Sequence, residues 1–382
     1  MLPGCVLHQD AGMTAAPRPP IPRIFYTVQY LRGLGALAVI LWHGLGQLSR
    51  FQPHLAYPEW GAVAVDMFFV ISGFVIWHIT AGGEDGAVGE YCRRRIVRAV
   101  PFYWAMTSIV VVAMMVAPHL LSSSRYDGGH VLASYFFVPW LHPVLHGEIL
   151  PVVIPGWTLD YEFPFYGLVG LSLFIPLRFR AAALIVAILT LALLPAFISI
   201  DSTALYFYTQ PIVIEFASGV FLGWLVWNGY RLNALAALSL LVLGFIAVPL
   251  LPSPSHVVPE IGAYRFMLQR VLEYCGPAFA IVAGAVFYET ARGSAPRLRI
   301  PKLIGDASYS IYLLHPLVLP VITRLWLQTG LAADPRWNGT YIVVAVAVAA
   351  GAGIGCYFVL EKPLLAFFNR MTLRKTPRLS AA

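Results

Sequence analysis

Charge is what this sequence has least of. Only 11% of its 382 residues are Asp, Glu, Lys or Arg, against about 25% in a soluble domain. That is too little polar surface to clothe a water-soluble core, so a soluble globular protein is excluded. Cysteine is scarce as well. Cys5, Cys92, Cys275 and Cys356 share no paired spacing, which argues against a disulfide framework and leaves them as small apolar side chains. No internal repeat and no soluble domain at either end is visible. A signal peptide is not expected either: MLPGCVLHQD contains LPGC, but no apolar core of about 7–15 residues precedes it.

What the chain does have is apolar length. Hydrophobic residues make up 59% of it, and the mean hydropathy is +0.74. The pattern predicts an all-α polytopic membrane protein with about ten transmembrane helices of ~20 residues. They are expected near 30–48, 62–80, 101–118, 156–176, 181–199, 204–227, 233–251, 272–290, 303–324 and 340–361. The short apolar piece 131–141 reads as interfacial or re-entrant. With the N-terminus inside, Arg50, Arg125, Arg265, Arg270, Arg324 and Arg336 face outward and nearly all other Lys and Arg face the cytoplasm. The positive-inside rule therefore predicts both termini in the cytoplasm. Residues 1–23 are expected to form a cytoplasmic tail, 24–364 the membrane domain, and 365–382 a basic cytoplasmic tail. The net charge of +7 reads as a topology signal, and nucleic acid is not an expected partner.

Ionisable side chains inside a bilayer cost ~2.5–3.5 kcal/mol each on insertion scales, so each marks a candidate function. In RGLGALAVILWH, Arg32 and His43 lie eleven residues apart. On a helix that is about three turns, which leaves them within roughly 20° of each other and ~16 Å apart along one face. The expected topology puts Arg32 near the cytoplasmic side and His43 in the outer half. Asp66 and Glu162 are expected at the same level as His43, with Glu215 and His315 nearer the middle. A histidine with a carboxylate beside it suits general-base chemistry, the carboxylate orienting the ring while its other nitrogen takes a proton. A buried polar cluster that merely locks helix packing is the competing reading.

Ahead of the third span, Arg93, Arg94, Arg95 and Arg98 form a dense cluster. Guanidinium forks match phosphate oxygens bidentately, so the cluster fits a phosphate-bearing cytosolic ligand, with Arg32 extending the site into the membrane. Topological charge alone is the plainer account. In the long 119–155 connection, His142 and His146 have the spacing of a metal pair on a helix. Pro143 disturbs that helix and no carboxylate or cysteine sits at ligand spacing, so no metal is expected there.

Seven segments together resemble the acyltransferase-3 family, integral membrane O-acyltransferases of bacterial surface and secreted glycans. They are QYLRGLGALAVILWH (29–43), GAVAVDMFFVISGFVIW (61–77), RRRIVRAVPFYW (93–104), GWTLDYEFPFY (156–166), PIVIEFASGVFLG (211–223), IGDASYSIYLLHPL (304–317) and EKPL (361–364). The resemblance makes Arg32 and His43 the leading catalytic pair, with Asp66 and Glu162 as candidate supports. It places the Arg-x-x-Arg element on Arg95 and Arg98. It assigns substrate-binding or structural motif roles to Trp157, Thr158, Ser72, Gly73, Tyr309, Tyr312, His315 and Glu215. Ala64 departs from the glycine common at that position. Larger members carry a C-terminal SGNH-type domain, whereas this chain ends soon after the tenth expected span, like the stand-alone exopolysaccharide-type enzymes.

What the resemblance implies is an acyltransferase of the bacterial cytoplasmic (inner) membrane. It would move an acyl group, most often acetyl, from acyl-CoA to a hydroxyl of a glycan or lipid-linked saccharide. Its expected partners are the bilayer, the two substrates and glycan-assembly proteins, with no permanently bound cofactor. Composition alone equally describes a proton-coupled transporter with a buried His/Asp/Glu relay.

Overall fold

The structure, a computed structural model, describes residues 24–55, 57–82, 88–117, 125–253 and 258–372. Both expected tails lie largely outside these residues. Among them the chain is helical, with isolated bridges only at Leu141–Ile149 and Glu148–Glu260. In chain order the helices are α1 (Tyr26–Ser49), α2 (Val63–Ala81), α3 (Val88–Val116), α4 (Gly128–Tyr135), α5 (Trp157–Ser172), α6 (Leu177–Leu193) and α7 (Thr203–Tyr208). There follow α8 (Ile214–Trp227), α9 (Ala234–Ala247), α10 (Tyr264–Arg292), α11 (Arg299–Asp306), α12 (Ser308–Gln328), α13 (Asn338–Cys356) and α14 (Lys362–Thr372).

A helix falls on each of the ten expected spans. Six stretches are long and apolar enough to cross a bilayer: 60–81, 88–116, 177–196, 264–292, 308–328 and 335–372. The chain is thus a helical membrane protein. The segment expected to be interfacial is the short α4 followed by irregular chain, and residues 365–372, expected as tail, continue α14.

Sequence explains which helix sits at the centre. VAVDMFFVISGFVIWHITA is apolar on every face, and such a helix is stable only when surrounded. Most of α2 is accordingly buried. It meets α8 backbone to backbone at Gly73 and Gly219, where an added Cβ would stand 2.2 Å from the Phe216 carbonyl oxygen or 2.1 Å from that of Val70. Small residues permit this close approach, which gives helices in a membrane their packing energy. The contact also sets Asp66 of α2 opposite Glu215 of α8.

The connection between α3 and α5 is built on histidines in a structural role. The HPVLH stretch is not helical, and His142 Nδ1 accepts the backbone N–H groups of Val144 (3.3 Å) and Leu145 (3.0 Å). His130 Nε2 donates to the Leu150 carbonyl at 2.8 Å, and the two imidazoles pack edge to face. Burial, with His130 next to it, pushes the His142 pKa down to about 4. The unfolded ring titrates near 6.5, so the unfolded state binds more protons below that pH and this contribution to stability falls between about 6.5 and 4. Glu148 acts in the opposite sense, its pKa raised by burial and by Glu260. We expect amide exchange at Val144 and Leu145, corrected for intrinsic rates, to speed up as pH drops through that window. His142→Asn, which keeps an acceptor but does not titrate, should flatten the response; an equal response in the variant would reject the assignment.

Candidate active site

A cavity of about 180 Å³ opens between α1, α2, α3, α5 and α12. Arg32, Arg95, Arg98, Ser72, Thr158, Glu162, Tyr166, Tyr309 and Tyr312 all line it. Five sequence motifs far apart in the chain thus share one space.

The four clustered arginines divide into two pairs with different tasks. Glu90 is bonded by Arg93 at 2.7 Å and by Arg94 at 2.8 Å. Arg93 also donates to Thr372 (2.9 Å) and Asn369 (3.3 Å), tying α14 to α3. Neither residue lines the cavity, so of the four arginines expected to act together only Arg95 and Arg98 face it. The reason is helical periodicity: 95 and 98 share a face with each other, and 94 shares one with 90. Arg98 bonds Glu361 at 2.6 Å, and Ser310 donates to the other oxygen of that carboxylate at 2.5 Å. Arg95 lies 5.9 Å from the Tyr91 ring centroid, and its Nε has no hydrogen-bond partner among the described residues.

Glu162 stands elsewhere than its expected level beside His43. Ser72 Oγ donates to it at 2.6 Å and Tyr166 donates to its other oxygen, so it faces the arginine cavity. Asp66 is likewise occupied. Arg270 holds both its oxygens, through Nε at 3.1 Å and Nη2 at 2.7 Å, with Asp66 0% and Arg270 1% exposed at the side chain. Glu215 is packed against this pair. Among the described residues no carboxylate hydrogen-bonds His43, which corrects the expectation that Asp66 or Glu162 does so. Arg270, expected among the outward-facing arginines, lies two residues ahead of the eighth expected span, which runs from 272 to 290. The helix starts at Tyr264, so Arg270 lies inside it, and the pairing with Asp66 lets its guanidinium be buried.

His43 shares α1 with Arg32, as their spacing requires, and its ring is exposed. Its ring neighbours are Trp42, 4.5 Å away between centroids, and His315 of α12 at 4.9 Å. A row of rings leads back to the cavity: His315 lies 6.0 Å from Tyr312, and Tyr312 lies 5.9 Å from Phe68. Both Tyr312 and Phe68 line the arginine cavity. Trp157 is buried against Phe69 and Tyr161 and does not line it. Among the described residues no group of three His, Cys, Asp or Glu side chains is placed to hold a metal ion.

An Acyltransferase domain model, that of acyltransferase-3, matches residues 25–360. The chain belongs to the acyltransferase-3 family. Membership makes it an acyltransferase and leaves the transporter reading without support. It is 34% identical to the exopolysaccharide production protein ExoZ of Rhizobium meliloti over 309 residues, 80% of this chain and 90% of that one. It is 27% identical to the acyltransferase MdmB of Streptomyces mycarofaciens, over 89% of this chain and 91% of that protein. The peptidoglycan O-acetyltransferase OatA of Listeria monocytogenes is 25% identical over 85% of this chain, which spans only 53% of OatA. No solved structure matches.

Proposed function

We propose that the chain is an inner-membrane O-acyltransferase of ten spans with cytoplasmic termini. It transfers an acyl group, acetyl in the first instance, from cytosolic acyl-CoA to a hydroxyl of an extracytoplasmic or lipid-linked glycan. The observation that carries this reading is the shared cavity. Three arginines line it, and the ring row Phe68–Tyr312–His315–His43 begins at its wall.

In this reading the phosphates of the donor rest on Arg95 and Arg98, with Arg32 deeper in, and the pantetheine arm reaches past Tyr312. His43 takes the proton of the acceptor hydroxyl. The oxygen attacks the thioester carbonyl, the C–S bond breaks, and the CoA thiolate leaves with the proton that His43 returns. The polysaccharide-linked names of ExoZ and OatA support a saccharide acceptor.

The test uses purified protein in nanodiscs with labelled acetyl-CoA and candidate glycans. Label should pass to the glycan with stoichiometric release of CoA; folded protein that neither transfers label nor releases CoA overturns the reading. Arg95 offers a clean probe of the donor site, because its Nε is not committed to a partner. A hydrogen bond to a charged group contributes about 1.5–3 kcal/mol, so Arg95→Ala should weaken CoA binding by roughly 10- to 100-fold in a direct titration. Unchanged affinity would return the cluster to a purely topological role.

A further inference from the structure

His315 is followed by Pro316 inside α12, and the pair has a consequence for hydrogen bonding. In an α-helix the N–H of residue 316 would bond the carbonyl of Tyr312, four residues earlier. Proline has no N–H, so that carbonyl lacks its helical donor. His315 Nδ1 fills the place, 2.7 Å from the Tyr312 oxygen. A carbonyl can only accept, so Nδ1 must carry the proton. The neutral ring then holds its lone pair on Nε2. That nitrogen is buried and has no hydrogen-bond partner among the described residues. The His43 ring lies 4.9 Å from the His315 ring between centroids.

We infer that His315 is the positioning residue for His43, kept by Pro316 in the Nδ1–H tautomer so that its Nε2 accepts the N–H of the His43 ring. The His43 ring, 4.9 Å away between centroids and tilted by 34°, has to turn for one of its N–H groups to point at that nitrogen. With one nitrogen of His43 committed as donor, the other is left as an acceptor for the substrate hydroxyl. This is the task that a carboxylate performs for histidine bases elsewhere. Here both candidate carboxylates are engaged, Asp66 by Arg270 and Glu162 by Ser72 and Tyr166. The apolar wall of α12 tolerates a neutral imidazole where a second anion would require its own counter-ion. The inference rests on the reading of His43 as the base.

Pro316→Ala provides the decisive variant. It restores the N–H that competes for the Tyr312 carbonyl and removes a helix-breaking residue, so the protein should melt no lower than wild type. Acyl transfer should nevertheless fall about tenfold in kcat, with the KM for acetyl-CoA unchanged and the pH–rate profile displaced. His315→Leu should lose about 100-fold in kcat, whereas His315→Gln, which keeps an acceptor oxygen, should recover part of that loss. Independently of activity, protein labelled with ¹⁵N-histidine reports the tautomer, the His315 signals being those absent from His315→Gln. Nδ1 should read as protonated and Nε2 as bare in wild type, with the two forms mixed in Pro316→Ala. A wild-type ring protonated on Nε2, or full activity with an unchanged pH profile in both Pro316→Ala and His315→Leu, overturns the inference. If instead His43→Ala retains full transfer, the reading of His43 as the base fails first, and the ¹⁵N tautomer result stands apart from it.

Discussion

His43→Ala should reduce acyl transfer by about 10²–10⁴-fold, the range in which a positioned general base contributes. The measurement is single-turnover transfer of labelled acetyl from acetyl-CoA to glycan in nanodiscs, normalised to folded protein. Binding of CoA should be little affected, because the arginines line a cavity that His43 does not. The melting temperature should also hold. His43 is exposed and makes no hydrogen bond among the described residues, so its removal leaves no buried group without a partner. Surface changes of that kind fall mostly within about 0.5 kcal/mol. Transfer retained at the wild-type rate would remove His43 from the mechanism and with it the role proposed for His315.

The largest effect on stability is expected at the other ionic site. Arg270→Met should destabilise the protein by about 3–5 kcal/mol, since it strands the buried Asp66 carboxylate without its counter-ion. Glu215 makes the loss worse, because it adds a second acid to the same pocket. The converse variant, Asp66→Asn, should be milder: Arg270 still has Glu215 beside it and the Ala62 carbonyl at 3.3 Å. Thermal denaturation in detergent micelles gives the order directly. Asp66→Asn equal to or worse than Arg270→Met would mean that Glu215 is no substitute counter-ion. Because Asp66 is committed to this pair, the specific activity of folded Asp66→Asn should stay within a few-fold of wild type, which separates it from a residue acting on His43.

The same contrast marks how much of the site was legible beforehand. The eleven-residue spacing of Arg32 and His43 places both on one face of one helix, and α1 carries them so. Arg95 and Arg98 could be singled out as neighbours three apart, yet nothing local shows that Glu90 occupies Arg93 and Arg94 until the helix is seen to run from Val88. Depth along each span was a poorer guide. Asp66 and Glu162 were expected at the level of His43 from their distance to the ends of their helices. Rotation of each helix about its own axis decides which way a carboxylate points, and depth says nothing of that rotation.

Sequence alone determined that this is an α-helical membrane chain, where its helices lie, and which motifs carry the resemblance to its family, because apolar length and residue spacing are local properties. Tertiary structure alone decided the partners: Asp66 with Arg270, Glu162 with Ser72, Arg98 with Glu361, and His43 with His315. Each of those pairs joins segments at least 90 residues apart or separate helices in contact, and only packing fixes which faces meet. Sequence could have supplied Tyr166 for Glu162, four residues on along the same helix, and Tyr312 for His315, since a proline at 316 frees the carbonyl at 312 by the geometry of the helix itself.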